Sequence, residues 1–307
     1  MHIASWMCLV LFCLLSKETS AQVYIDIINS GHSQNIKAKY KKNGNNYQQQ
    51  TSWLNANIPF VLNKRGDFLM SSLQYNFTSL HHDFFEEDKL SFNNVNLGLS
   101  WLKNWKNPHW ASYLDVGTGF SSNLKTSKED YLNYKTTLLF FYAKKNEVVW
   151  NFGVNYSGGA FGNYIVPLIG IDWMIDDKTN LSFQTFSHLQ LDYQVAPKIY
   201  AGFIAHSVPF SFSISNYHGE EDSYVHTYSY KFPYLPQSVG IYADFYFRNE
   251  MVLFGKIGYE FSKTLYHENI NGEPLVDSPY QGKIKSGLAF EIGVAWRKRT
   301  ARKFKYQ

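Results

Sequence analysis

The chain is poor in cysteine: of its 307 residues only Cys8 and Cys13 are cysteines. From residue 21 onward there is none, so most of the protein has no disulfide, thiolate nucleophile or Cys-held metal. Charge is also sparse, at 18% of residues against roughly 25% in an average soluble domain. Past the N-terminal segment no apolar run approaches the length of a membrane-spanning helix, which excludes a helical membrane protein. The net charge is only +4, too little for a disordered chain. What the chain does have is aromatic: 23 Tyr, 24 Phe and 8 Trp, with a mean hydropathy of −0.32. Many aromatics at a negative mean hydropathy point to a large all-β protein.

Residues 3–15 (IASWMCLVLFCLL) form one apolar run, closed by Lys17 and Glu18 and followed by Thr19-Ser20-Ala21. That is the layout of a secretory signal peptide, residues 1–21, cut after Ala21. Neither cysteine follows a small residue, as a lipoprotein acceptor would. The expected organisation continues with a periplasmic N-terminal segment at 22–33, a barrel at 34–297 and a basic tail at 298–307.

Period-2 alternation recurs along the chain. In 237–248, Val239, Ile241, Ala243, Phe245 and Phe247 share one face, opposite Tyr242, Asp244, Tyr246 and Arg248. In 283–297, Leu288, Phe290, Ile292, Val294 and Trp296 oppose Lys285, Gly287, Ala289, Glu291 and Gly293. Residues 134–143 and 199–206 are apolar on both faces. Strands expected near 34–42, 47–62, 67–79, 90–103, 109–122, 134–145, 147–157, 164–175, 179–187, 189–195, 198–216, 237–248, 251–266 and 283–297 make fourteen. Merging the short pair at 179–195, or losing the first strand, makes twelve. Short turns alternate with longer loops near 79–89, 123–133, 157–163, 217–236 and 266–282. This predicts a transmembrane antiparallel up-and-down β-barrel of 12–14 strands, with short periplasmic turns and longer extracellular loops.

The apolar face carries aromatics towards strand ends: Trp101, Trp110, Trp150, Trp173, Tyr259 and Trp296. These are the expected lipid-interface girdle. The other face is rich in Gly, Ser, Asn and single charges, which suits a lumen. Alternation places Asp115, Asp172, Asp192, Asp244, Arg248, Lys256, Glu260, Lys283, Lys285 and Glu291 inward. Lys256 and Lys285 are expected near Glu260 and Glu291, either as wall-stiffening ion pairs or as the charge filter of a pore.

One stretch is more specific. Pro167-Leu168-Ile169-Gly170-Ile171-Asp172-Trp173 leads through the charged turn Asp176-Asp177-Lys178 to the strand Leu189–Val195 (LQLDYQV). With Ile58-Pro59-Phe60 and Tyr75, this resembles a family of uncharacterised outer-membrane β-barrel proteins of diderm bacteria. Its pattern is a P-L-x-G-x-x-W strand, a tight charged turn and an L-x-Y strand. Thr185-Phe186-Ser187 departs from the Leu-Pro-Ser turn expected there. The resemblance implies a fold and an outer-membrane location; it implies no activity.

Catalytic and metal constellations are weak. His32-Ser33, Ser187-His188 and His206-Ser207 are sequence neighbours, which point to opposite faces of a strand and form no dyad within it. His81-His82-Asp83 with Glu86-Glu87-Asp88, and Gly219-Glu220-Glu221-Asp222, read as solvated acidic loops. No cofactor, metal or nucleic acid is expected. The expected partners are outer-membrane lipid and small solutes. Three functions fit: a pore for small polar solutes, a structural or surface-interaction barrel with a plugged lumen, and a lipid-directed barrel hydrolase. Residues 22–296 hold 22 basic and 24 acidic side chains, so the net positive charge resides in the tail RKRTARKFKYQ, expected to lie against anionic headgroups.

Overall fold

The computed structural model describes residues 24–36, 38–39, 46–63, 66–82, 89–107, 109–123, 132–145, 147–159, 162–185, 188–207, 211–214, 223–226, 237–248, 250–269, 273–275 and 282–299. The expected signal peptide, the last residues of the basic tail and both acidic loop clusters, apart from His81 and His82, lie outside these residues.

The strands are β1 (Tyr24–Asn35), β2 (Ala38–Lys39), β3 (Asn46–Val61), β4 (Phe68–His82), β5 (Lys89–Asn104), β6 (Trp110–Ser122), β7 (Leu132–Lys145), β8 (Val148–Gly159), β9 (Gly162–Met174), β10 (Thr179–Gln184), β11 (His188–Ala196), β12 (Ile199–His206), β13 (Ser211–Ile214), β14 (Ser223–His226), β15 (Ser238–Arg248), β16 (Met251–Glu260), β17 (Lys263–Asn269), β18 (Gly282–Ile284) and β19 (Gly287–Arg299). Fourteen of them close a ring: β1, β3 to β12, β15, β16 and β19, with β19 pairing back onto β1. Every pairing in the ring is antiparallel and joins strands consecutive in that order. Closure leaves no open sheet edge.

The period of the sequence sets the two faces. Leu54, Ile58, Leu97, Leu99, Trp150, Ile169, Ile241 and Ile292 point outward and are exposed. Ile165 and Ile241 reach 67% and 65% exposure, far above any core residue. The doubly apolar stretches are resolved by the neighbours of the inward set. On β7, Leu138 is exposed outward, while Leu139 packs inward with Val166 and Leu168 of β9, against Tyr113, Phe141 and Tyr164. The resembling motif reads the same way. Leu168 joins that cluster and Trp173 is exposed. Gly170 has no room for a side chain, because a Cβ there would meet Asn151 and the Phe183 carbonyl.

The structure corrects several sequence expectations. The first wall strand is Tyr24–Asn35, ten residues earlier than expected, because 22–33 lacks clean alternation. Residues 179–184 and 188–196 are separate full strands, so the count is fourteen rather than twelve. The expected loop at 157–163 shrinks to residues between Gly159 and Gly162. The long 198–216, 251–266 and 283–297 strands each split, and β13, β14, β17 and β18 belong to the loops rather than to the ring. Four register shifts, at 26/28, 143/145, 194/196 and 246/248, all fall at the turn-side rim, where bulges let a closing wall bend.

Candidate lumenal site

Seven of the ten charges expected inward do face the lumen: Asp115, Asp172, Asp192, Asp244, Lys256, Glu260 and Glu291. Asp115 accepts a hydrogen bond from Ser100 Oγ at 2.7 Å and pairs with Lys135 Nζ at 3.1 Å. Asn180 Nδ2 donates to Asp172 at 3.1 Å. Asp192 accepts from Tyr242 Oη, and Gln190 Nε2 donates to both. Lys256 pairs with Glu291 at 3.3 Å, as expected. Glu260 pairs with Lys263 at 3.3 Å, not with Lys285.

Three expected residues are elsewhere. Arg248 is exposed at the turn-side rim, where the 246/248 bulge breaks the alternation. Lys283 and Lys285 are exposed in the loop segment before β19, not in the wall. Four charges escaped the sequence reading: Asp26, Lys135, Lys263 and Arg297. Arg297 is buried beside Asp26 and Asp244, with Nη1 2.5 Å from the Asp244 carboxylate. It lies at the last position of the expected barrel and continues the Glu291–Gly293–Ala295 face.

Serine–histidine pairs do form, but between strands. Ser182 Oγ lies 3.0 Å from His188 Nε2, and Ser238 Oγ lies 3.2 Å from His206 Nδ1. His188 and His206 are themselves register partners. Beside His206, at 3.2 Å, stands Lys256 Nζ, where a hydrolase would hold an orienting carboxylate. The row Ser182, His188, His206, Ser238, Lys256 and Glu291 thus forms a continuous polar band across six strands.

The lumen has two sides. β7 stands seven places from β16 in the ring, so the Leu139–Val166–Leu168 cluster faces the Lys256–Glu291 pair. At the loop end, the connection between β12 and β15 sends β13 to bridge Ser213 to Ser122 on β6, seven places from β15. It therefore crosses the mouth. β14 pairs with β17, and Val225, Leu265, His267 and Ser223 are buried on that pair; Tyr47, Leu80 and Phe92, at the loop-side ends of β3, β4 and β5, are buried as well.

Outside, the six expected interface aromatics all face away from the lumen. Trp101, Trp150, Trp173 and Tyr259 are exposed, and Trp110 and Trp296 are half-buried. The five tryptophans stand near the turn side. At the loop side stand Tyr259, stacked edge-on with Phe261 at 5.9 Å, and Tyr134 with Tyr156, paired at 5.8 Å.

The DUF6268 family, described as a domain of unknown function, matches residues 17–297. The chain belongs to the DUF6268 family. No curated protein matches the chain. Among solved structures, this DUF6268 member is similar to the COG4313 outer membrane channel from Pseudomonas putida F1, at 8% identity and a TM-score of 0.46, over 91% of this chain and 97% of that one. It is also similar to the translocator domain of the autotransporter NalP from Neisseria meningitidis, at 10% identity and a TM-score of 0.36, over 96% and 94%. A third is a deletion mutant of the TodX monoaromatic hydrocarbon channel, at 7% identity and a TM-score of 0.45, over 94% of each chain.

Proposed function

We propose that this DUF6268 protein is a channel of the bacterial outer membrane for small polar solutes. The observation that carries the reading is the combination of an exposed apolar outer wall with a lumenal wall of hydrogen-bonding and charged groups. An apolar belt over a closed ring is stable in hydrocarbon because every backbone group is paired within the wall. The lumenal side has room for water beside its charges: the inward side chain of Lys135 is 46% exposed. Asp115, Asp244, Lys256 and Glu260 each stand beside a charge of opposite sign, and Asp172 and Asp192 accept from neutral side chains, so the wall offers donors and acceptors together rather than a field of one sign. That lining suits neutral or zwitterionic solutes better than simple ions. Swelling of proteoliposomes in sugars and amino acids of increasing size tests this. Small solutes should enter and large ones should not; swelling no faster than in empty liposomes would count against a channel.

A second reading is a barrel plugged at its loop-side mouth. The β13 crossing to β6 favours it. The two readings differ in what removal of residues 208–226 does: a permeation rate that rises from zero marks the plug, and one that changes little marks an open channel.

A further inference from the structure

Charge is spread unevenly around the lumen. The inward acids and bases stand on β6, β7, β9, β11, β15, β16 and β19, with Asp26 at the turn-side start of β1. On β3, β4 and β5 none of residues 51–57, 72–78 and 92–100 is charged. Amides take that place. Asn55 on β3, Gln74 and Asn76 on β4, and Asn94 and Asn96 on β5 face inward, beside Asn29 on β1, and all six are half-buried. They are laced together: Asn76 Nδ2 donates to Asn94 Oδ1 at 3.3 Å, Asn96 Nδ2 donates to the same oxygen, and Asn55 Nδ2 donates to Asn29 Oδ1 at 2.9 Å.

An aromatic surface lies within this amide wall. Trp53 points inward between its register partners Asn76 and Gly31, and its Nε1 donates to Asn29 Oδ1 at 3.0 Å. The register row continues from Trp53 through Gly31 and Gly293 to Phe254. Three strand intervals, about 14 Å, separate the two aromatic residues along the wall. Their ring centroids are nevertheless 6.5 Å apart, with planes within 27° of parallel. Both side chains therefore lean over the glycine pair: a Cβ at Gly31 would meet the Trp53 ring, and one at Gly293 the Phe254 ring. Trp53 and Phe254 are each half-buried, so part of this aromatic surface faces the lumen.

The combination selects a solute chemistry. A carboxamide both donates and accepts and carries no net charge. An ion finds no counter-charge beside Trp53, and an apolar solute would strip water from the amides without replacing its hydrogen bonds. A sugar meets both demands, because its hydroxyls donate and accept while the C–H face of its ring is apolar and suits the electron-rich face of an aromatic ring.

We propose that this wall binds neutral sugars, with Trp53 against the C–H face of a pyranose, Phe254 extending that surface, and Asn55, Gln74 and Asn76 on the hydroxyls. The inference rests on the reading of the barrel as a channel, and names the class of solute it passes. The test is salt current through single barrels in planar lipid bilayers, with maltotriose, cellotriose and a polyethylene glycol of equal mass added in turn. The sugars should interrupt the current in brief, concentration-dependent blocks, and the glycol should not. Trp53→Ala should raise the half-blocking sugar concentration by about tenfold, and Trp53→Phe should recover most of that loss. Gln74→Ala/Asn76→Ala should raise it by about fivefold. A conducting barrel that neither sugar blocks, equal block of the unaltered chain and both alanine variants, block by the glycol as readily as by sugar, or block by indole alone would overturn the sugar wall and leave the channel standing. Silence from a barrel that still shifts on boiling would overturn the channel reading, and the sugar wall with it.

Discussion

Arg297 on the last strand clasps Asp26 on the first: Nε stands 2.5 Å from one carboxylate oxygen and Nη2 3.0 Å from the other. The same guanidinium reaches Asp244 on β15 through Nη1 and lies 5.6 Å over the Phe254 ring. One side chain thus ties the strand that closes the ring to a strand two places away and to the start of the chain. Bidentate geometry and burial together make this a strong ion pair.

Arg297→Ala leaves Asp26 and Asp244 facing each other without their cation. Loss of one partner of a buried pair costs about 3–5 kcal/mol. The folded, fast-migrating form on unboiled SDS gels should convert at a markedly lower temperature. Arg297→Lys keeps the charge but not the fork, and should fall between the two. Equal conversion temperatures for all three would show that the clasp contributes nothing.

Acid sensitivity should reside in a turn. Asp67 receives Lys103 Nζ at 2.8 Å, Asn63 Nδ2 at 2.9 Å and the Asn104 amide at 2.8 Å, which locks the β3–β4 turn to the end of β5. Burial alone would raise its pKa, but the bonds from Lys103, Asn63 and Asn104 outweigh it and hold the carboxyl below the ordinary 3.8. A depressed pKa contributes stability above the ordinary value and loses it as pH falls through the folded one. The barrel should therefore lose stability below about pH 4, and Asp67→Asn should reduce that acid dependence at a cost near neutrality of about 1–3 kcal/mol. Thermal conversion measured from pH 7 down to 2 checks both slopes.

Reversing one lumenal charge should alter selectivity. Lys135→Glu sets a second acid beside Asp115 where a pair stood. The ratio of cation to anion permeability should rise by about twofold or more, read as the reversal potential under a salt gradient. An unchanged reversal potential would mean that ions do not pass this wall.

The crossing strand gives a further test. Ser122 and Ser213 are register partners, so a Ser122→Cys/Ser213→Cys variant should form an internal disulfide. If the mouth opens by withdrawing β13, oxidation should lower solute entry and reduction should restore it.

Much of the wall was legible because lipid and lumen impose opposite demands on successive residues. Asp244, Lys256, Glu260 and Glu291 could be placed inward from parity alone. Parity failed where the backbone breaks it: at the 246/248 bulge, which frees Arg248, and between β18 and β19, where Lys283 and Lys285 leave the wall. It also failed on β1, since Ile27 is the extra residue of a bulge between Asp26 and Ile28 and the outward face beyond it is polar. Lys135 was hidden because β7 is apolar on both sides. The serine–histidine contacts of β10–β15 depend on register, which no single strand encodes.

The central claim is that the ring encloses a path for solutes. Reconstitution of the heat-modifiable protein into planar lipid bilayers tests it most directly. The account predicts discrete, repeatable conductance steps whose size is altered by Lys135→Glu. Bilayers that stay silent after insertion of properly folded barrel would contradict it.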